Sequence, residues 1–327
     1  MTGTFSIVPY QPPQESAVLT LWNRTIADQF PMRRRLFLQQ TRANPSFRFD
    51  DAAVAWVGDE PVGFVLTRPH RQSFPTGERY QGTGALSVLL VRPDARRQGI
   101  GSALLDWAHG HLRRSGALQV RLGAGLEHTF PGVPTTAPAA RSFFEHHGYR
   151  FTYEVSDLIL DLRQYQRPAK TDESLRQAGP SVTFGPCQPG EEQPLLDFVT
   201  ANFPGSWWYW TDRRLAAGDR EYLYLMRHGS RVVGFAHLYS SRARVIGPSI
   251  FWAPRLGPRY GGLGPIGLAE DLRGRGLGLA LLCRSLEHLR HHGVRRTVVD
   301  WTDLPAFYAQ VGFRVWQSYW MSAVRVL

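Results

Sequence analysis

The chain has 327 residues, a formal net charge of +11, and 43% hydrophobic and 12% aromatic residues. That length accommodates two domains, and that composition belongs to a folded chain rather than a disordered one. No apolar run approaches the roughly 20 residues of a membrane span, and two cysteines, Cys187 and Cys283, leave no room for a disulfide framework or a cysteine-based metal site. The first residues lack a basic segment followed by an apolar one, so no leader is expected and the cytosol is the default compartment. The cations are almost all arginine, with a single lysine, Lys170. They are scattered, with no basic run longer than Arg33-Arg34-Arg35, which fits anionic small ligands better than a nucleic-acid face.

In chain order, Phe5–Tyr10 reads as a strand. Gln14–Phe30 has helical spacing through Val18, Leu21, Trp22 and Ile26, and Arg33–Gln40 continues as a second helix. Ala52–Val57 and Pro61–Thr67 form a hairpin across Gly58-Asp59-Glu60. The apolar run Ala85–Val91 meets Arg96-Arg97-Gln98-Gly99-Ile100-Gly101, and Leu104, Leu105, Ala108 and Leu112 then mark one face of a helix. A strand over 118–123, a short helix over 139–147 and closing strands over 151–162 complete this half. Gln164–Pro180 is polar and reads as a linker.

The same order returns: a strand at 182–184, a helix at 191–202, a hairpin from 222–227 and 231–239, and an apolar run, Pro265–Ala269. Arg273-Gly274-Arg275-Gly276-Leu277-Gly278 follows, then a helix with Leu281, Leu282, Leu286 and Leu289 on one face. A strand over 297–301, a short helix over 305–310 and strands over 313–326 end the chain. The two glycine turns share R-x-x-G-x-G, with Gly276 standing 177 residues after Gly99 (276 − 99). Strand, glycine turn and helix start together favour a phosphate-bearing ligand, because bare backbone approaches closely and the first helical N–H groups attract negative charge.

This duplicated pattern resembles the GNAT superfamily of acyl-CoA-dependent N-acetyltransferases in a tandem arrangement. Val91, Pro93, Arg96, Gly99, Ile100, Gly101 and Gly148 carry the likeness in the first half. Arg273, Gly276, Leu277, Gly278, Phe307, Tyr308, Gly312 and Phe313 carry it in the second. The resemblance implies an α/β architecture of two splayed mixed sheets flanked by helices, divided as 1–163, a linker at 164–180, and 181–327. It implies acetyl-CoA as cosubstrate, without a metal. The diphosphate would be held by Arg96, Arg97, Gln98, Gly99, Ile100, Gly101 and Ser102, or by Arg273, Gly274, Arg275, Gly276, Leu277, Gly278 and Leu279. The pantetheine arm would pair beside Leu90-Val91 or Gly267-Leu268.

The family commonly places a tyrosine on the short late helix to protonate the departing thiolate. Tyr308 stands there in the second half and Phe144 in the first, so the second half is expected to be catalytic. Asp300 is a candidate base, as are Asp303, Glu270 and His237; the carboxylates fit a solvated or capping role equally, and enzymes of the family often pass the proton through water, with no single base. His237, on an apolar strand, also fits a satisfied core histidine. Trp207-Trp208-Tyr209-Trp210 follow neither helix nor strand periodicity and read as a wall of the acceptor pocket or a contact between halves. The Gly/Pro-rich run 252–264, with Tyr260, reads as a further wall. The expected acceptor is a small-molecule amine, such as an amino sugar or amino acid derivative. A non-catalytic CoA-sensing or nucleic-acid-associated module and a protein-amine acetyltransferase are the competing readings.

Overall fold

The computed structural model describes residues 4–75 and 77–327. In chain order the first elements are β1 (Ser6–Pro9), α1 (Glu15–Ile26), α2 (Arg34–Gln40), β2 (Ala52–Val57), β3 (Glu60–Pro69), β4 (Thr83–Val91), α3 (Ile100–Arg114), β5 (Gln119–Leu122), β6 (Val133–Pro134), α4 (Pro138–His146) and β7 (Phe151–Asp161). Then follow α5 (Lys170–Ala178), β8 (Val182–Pro186), α6 (Glu192–Asn202), α7 (Ser206–Ala216), β9 (Leu223–His228), β10 (Arg231–Ser240), β11 (Tyr260–Leu268), α8 (Leu277–His291), β12 (Arg296–Thr302), α9 (Pro305–Ala309), β13 (Arg314–Ser322) and β14 (Arg325–Val326). They gather into two compact units that are not contiguous halves. One comprises Met1–Gln72, Tyr80–Val155 and Ser318–Leu327; the other comprises Ser73–Arg79 and Ser156–Gln317.

The first unit holds a six-stranded sheet in the order β1-β2-β3-β4-β5-β14. Among the described residues only β4 and β5 run parallel in it, Thr83–Leu86 lying beside Gln119–Leu122, and β14 closes the edge by pairing Arg325 with Val120. The apolar stripe of α3 lands on this sheet, burying Ile100, Leu104, Leu105, Ala108 and Leu112. In the second unit β8, β9, β10 and β11 pair antiparallel in sequence, and β11 runs parallel to β12. The C-terminal half of β7 flanks β12 antiparallel. Leu281, Leu282, Leu286 and Leu289 of α8 are at most 3% exposed, each such burial being worth about 1.5–3 kcal/mol.

Three expectations change. The polar stretch read as a linker contains α5, which packs along α8: Thr171 is buried against Cys283 (3.7 Å), and Arg167 pairs with Glu287 at 2.6 Å. The aromatic run lies inside α7, its four rings distributed around the helix rather than along a loop. The run expected as a pocket wall at 252–264 is divided, because Tyr260–Gly264 begin β11.

Candidate active site

In each unit the parallel strand pair parts at an equivalent point. Pairing of β11 with β12 runs from Tyr260↔Arg296 to Leu263↔Val299 and stops. The ladder from β12 to β7 jumps from Val299↔Leu158 to Thr302↔Ser156, a bulge that holds Asp300 and Trp301. Trp301 is left-handed (φ 44°), and its N–H donates to Asp157 Oδ1 at 3.0 Å. The offset of the glycine turns persists here: Gly123 stands 177 residues before Asp300 (300 − 123), and Ala124, the counterpart of Trp301, is also left-handed (φ 51°). The first unit therefore has the same bend without a carboxylate.

Beside each parting lies a glycine turn. Gly99 (φ 82°) and Gly276 (φ 76°) are the left-handed residues immediately before α3 and α8. The residue two before each is left-handed as well: Arg97 (φ 64°) in the first unit, Gly274 (φ 77°) in the second. A left-handed non-glycine residue costs about 1–2 kcal/mol, so the second turn is the less strained. No side chain caps either helix, and the first intrahelical acceptors are Gly99 O, for Ala103, and Gly276 O, for Ala280. The N–H groups of Leu277, Gly278 and Leu279, like those of Ile100, Gly101 and Ser102, precede that ladder and suit an anion. The two arginines of the motif play one part twice: Nε of Arg96 donates to Val91 O (3.0 Å), and Nε of Arg273 donates to Leu268 O (3.2 Å), pinning turn to strand end. The turns differ in their surroundings. A Cβ added at Gly99 meets nothing within 4 Å, whereas one at Gly276 collides with the Ser174 hydroxyl of α5.

Asp300 and Tyr308 lie within electrostatic reach of each other in the second unit. Burial, then the charge of Asp157, pushes the Asp300 carboxyl up to about 8. Tyr308 is 6% exposed, and its phenol is raised by burial and then by the negative charges of Asp300 and Asp303, which keeps it protonated. Tyr239, a residue the sequence did not single out, also lies in the field of Asp300, and burial pushes its hydroxyl up to about 12. His237 is fully buried, bonded to Thr211 Oγ1 (3.0 Å), and held well below the usual histidine range by burial and then Arg214. It is a core histidine. Asp303 and Glu270 are exposed at the surface.

The aromatic residues of α7 divide by face. Trp207 packs on Phe203 (4.8 Å between centroids) and Phe235 (5.9 Å). Phe203 in turn covers Gly267, where a Cβ would lie 2.6 Å from its ring, and stands 5.8 Å below the Arg273 guanidinium. Trp210 is buried, while Trp208 and Tyr209 keep part of their surface exposed. Tyr260 opens β11, four residues before the strands part, about 13 Å along a strand rise of ~3.3 Å. It is not brought to Asp300. In the first unit, Leu126–Val133 are buried throughout, and Gly123 lies directly beneath the Phe130 carbonyl. Thr129 is tied to Ser87 (3.1 Å). That inserted segment fills the ground beside the bend, and Phe144 takes the place of Tyr308.

A mixed sheet that parts beside a left-handed glycine turn, made twice in one chain, is the architecture that the resemblance to acyl-CoA-dependent acetyltransferases implied. The model of the acetyltransferase (GNAT) domain matches residues 49–151, and that of the acetyltransferase (GNAT) family matches residues 191–313. The chain belongs to the GNAT superfamily, as a two-domain N-acetyltransferase. Mycothiol acetyltransferase of Corynebacterium glutamicum (strain R) is 27% identical over 255 residues, 71% of this chain and 72% of that one. A GCN5-related glucosamine N-acetyltransferase region in a fungal multi-domain GH3 β-N-acetylglucosaminidase superposes with TM-score 0.88 at 28% identity. It matches 98% of this chain, which spans only 38% of that longer one. A tandem GNAT protein from the clavulanic acid biosynthesis pathway shares the fold (TM-score 0.65, 18% identity, 99% and 98% covered). Among the described residues no helix is long and apolar enough to cross a membrane.

Proposed function

We propose that the chain moves the acetyl group of acetyl-CoA to the primary amine of an amino sugar of the glucosamine class, with the chemistry in the second unit. The observation that carries this reading is the Asp300 bulge: a carboxyl that burial pushes up to about 8, at the parting of β11 and β12, with the protonated Tyr308 within electrostatic reach of it. The glucosamine N-acetyltransferase region, similar over nearly the whole chain, supports the choice of acceptor.

Acetyl-CoA supplies the activated thioester. Gly274 and Gly276, without Cβ atoms, and the uncapped start of α8 fit its diphosphate, with Arg273–Leu279 as the holding segment. Beyond Leu263 the β11 edge no longer pairs with β12, which suits an arm laid beside Gly267 and Leu268. Asp300, ionised, takes the proton of the acceptor ammonium, and the Tyr308 hydroxyl gives its proton to the departing sulfur. One observation favours placing the cofactor on the first unit instead, namely the uncluttered surroundings of Gly99. Gly123 and Phe144, however, offer neither base nor acid there.

The test is thiol release from acetyl-CoA over a panel of amines including glucosamine, with Asp300→Asn and Tyr308→Phe as controls. Glucosamine should be among the best acceptors, and both variants should lose turnover. Full activity of both variants would remove the second unit from the chemistry.

A further inference from the structure

One stretch of the second unit comes from the first half of the chain. Ser73–Arg79, between β3 and β4, belongs to it. Arg79 Nη1 donates to the Pro204 carbonyl (3.1 Å), in the connection between α6 and α7. The loop presents Phe74, whose ring lies parallel to Trp208 within 6° at 6.1 Å between centroids, and 5.7 Å from Tyr209. Gly77 turns the chain beneath this ring: its N–H donates to the Phe74 carbonyl (2.9 Å), and a Cβ there would lie 3.1 Å from the ring. Phe74, Trp208 and Tyr209 all retain solvent-facing surface.

Resting on the amino-sugar reading above, we propose that Phe74 and Trp208 form the surface on which the pyranose ring of the acceptor stacks, so that a loop of the first half sets acceptor affinity in the second. Parallel, displaced rings make a stepped apolar face wider than a single aromatic, matching the C–H face of a pyranose. The neighbouring residue Trp207 faces the other way, onto Phe203 and so to Gly267 on the strand expected to hold the cofactor arm. Trp208 is thus the residue next to one that packs toward the strand expected to hold the cofactor arm. Phe74 and Trp208 touch the body of the acceptor and no group that gains or loses a proton, so they act on binding and leave the chemical step alone.

The experiment compares KM and kcat for glucosamine in the wild-type chain, Phe74→Ala, Phe74→Tyr and Trp208→Ala, with thermal unfolding of each. Loss of one stacking ring should raise KM about 3–10-fold, leave kcat within about twofold, and be largely restored by Phe74→Tyr. An unchanged KM in Phe74→Ala overturns the proposal. So does a loss of kcat with a lowered Tm that tyrosine does not rescue, since that is the signature of packing alone. If the wild type acetylates glucosamine while Phe74→Ala is unaffected, only the stacking proposal falls. If the wild type acetylates amines of other kinds and no sugar, the acceptor reading falls first and takes this proposal with it.

Discussion

Replacing Asp300 by asparagine should cripple the enzyme and stabilise it, with the two effects read on one pH axis. The Asp300 carboxyl is pushed up to about 8 from an ordinary value of 3.8, mainly by burial and then by Asp157. The folded chain thus binds this proton more tightly than the unfolded chain does. Between about pH 4 and about pH 8, stability falls as pH rises, by at most about 1.4 kcal/mol per pH unit, and the loss is complete above about pH 8. At pH 7 the full shift corresponds to roughly 4 kcal/mol. Asp300 keeps part of its surface exposed, so a gain on the order of 2–4 kcal/mol is expected for Asp300→Asn. Calorimetric Tm measured from pH 4 to pH 9 should show the variant and the wild type together at the acid end. They should diverge to a plateau at the alkaline end. Turnover should fall about 10²–10⁴-fold, and in the wild type kcat/KM should rise with pH through about 8. A Tm difference that does not grow with pH would refute the argument that burial traps a proton on this carboxyl.

Other outcomes follow from the same geometry. Tyr308→Phe should lower kcat by at least tenfold with little change in the affinity for CoA, measured by calorimetric titration, because it removes a proton donor and no binding contact. Gly276→Ala should cost more stability than Gly99→Ala in thermal unfolding. Both pay about 1 kcal/mol for a left-handed alanine, and only the former also drives a methyl into Ser174. CoA titrated into the same two variants shows which turn holds the diphosphate, with the larger loss of affinity expected for Gly276→Ala.

The glycine turns were legible because their chemistry is local: backbone torsion, a bare Cα and a helix start are all written within six residues. Their spacing reached further than the motif itself, since the same 177-residue step relates the left-handed residues Ala124 and Trp301 found in the structure. What escaped depends on packing at a distance. Lys170–Ala178 has acidic residues in its first turn, Arg176 in its last and Gly179 after it, a fair set of helix signals. Its polarity hid that it is ordered by contacts with α8. The aromatics of α7 looked aperiodic because four consecutive rings occupy every face of one helical turn, Trp210 packed inward and Trp208 and Tyr209 partly exposed. Phe74 gave no signal at all, lying without periodicity in a Pro/Gly loop more than 130 residues before its ring partner Trp208. The weight of Asp300 came from a bulge that no alternation pattern announces.

Residues 318–327 complete the first unit from the far side of the second unit's run in the chain, with Arg325 and Val326 zipped onto Val120 and Gln119. Removing residues 318–327 would therefore injure the first unit, leaving β5 as a raw sheet margin open to self-association. Severing the polypeptide near its middle would give one piece with a missing border and another with a stray tail. Such fragments should gain solubility when produced together rather than apart. Neither unit is a contiguous stretch of chain: the first takes in residues 318–327, and the second takes in residues 73–79 and the C-terminal part of β7.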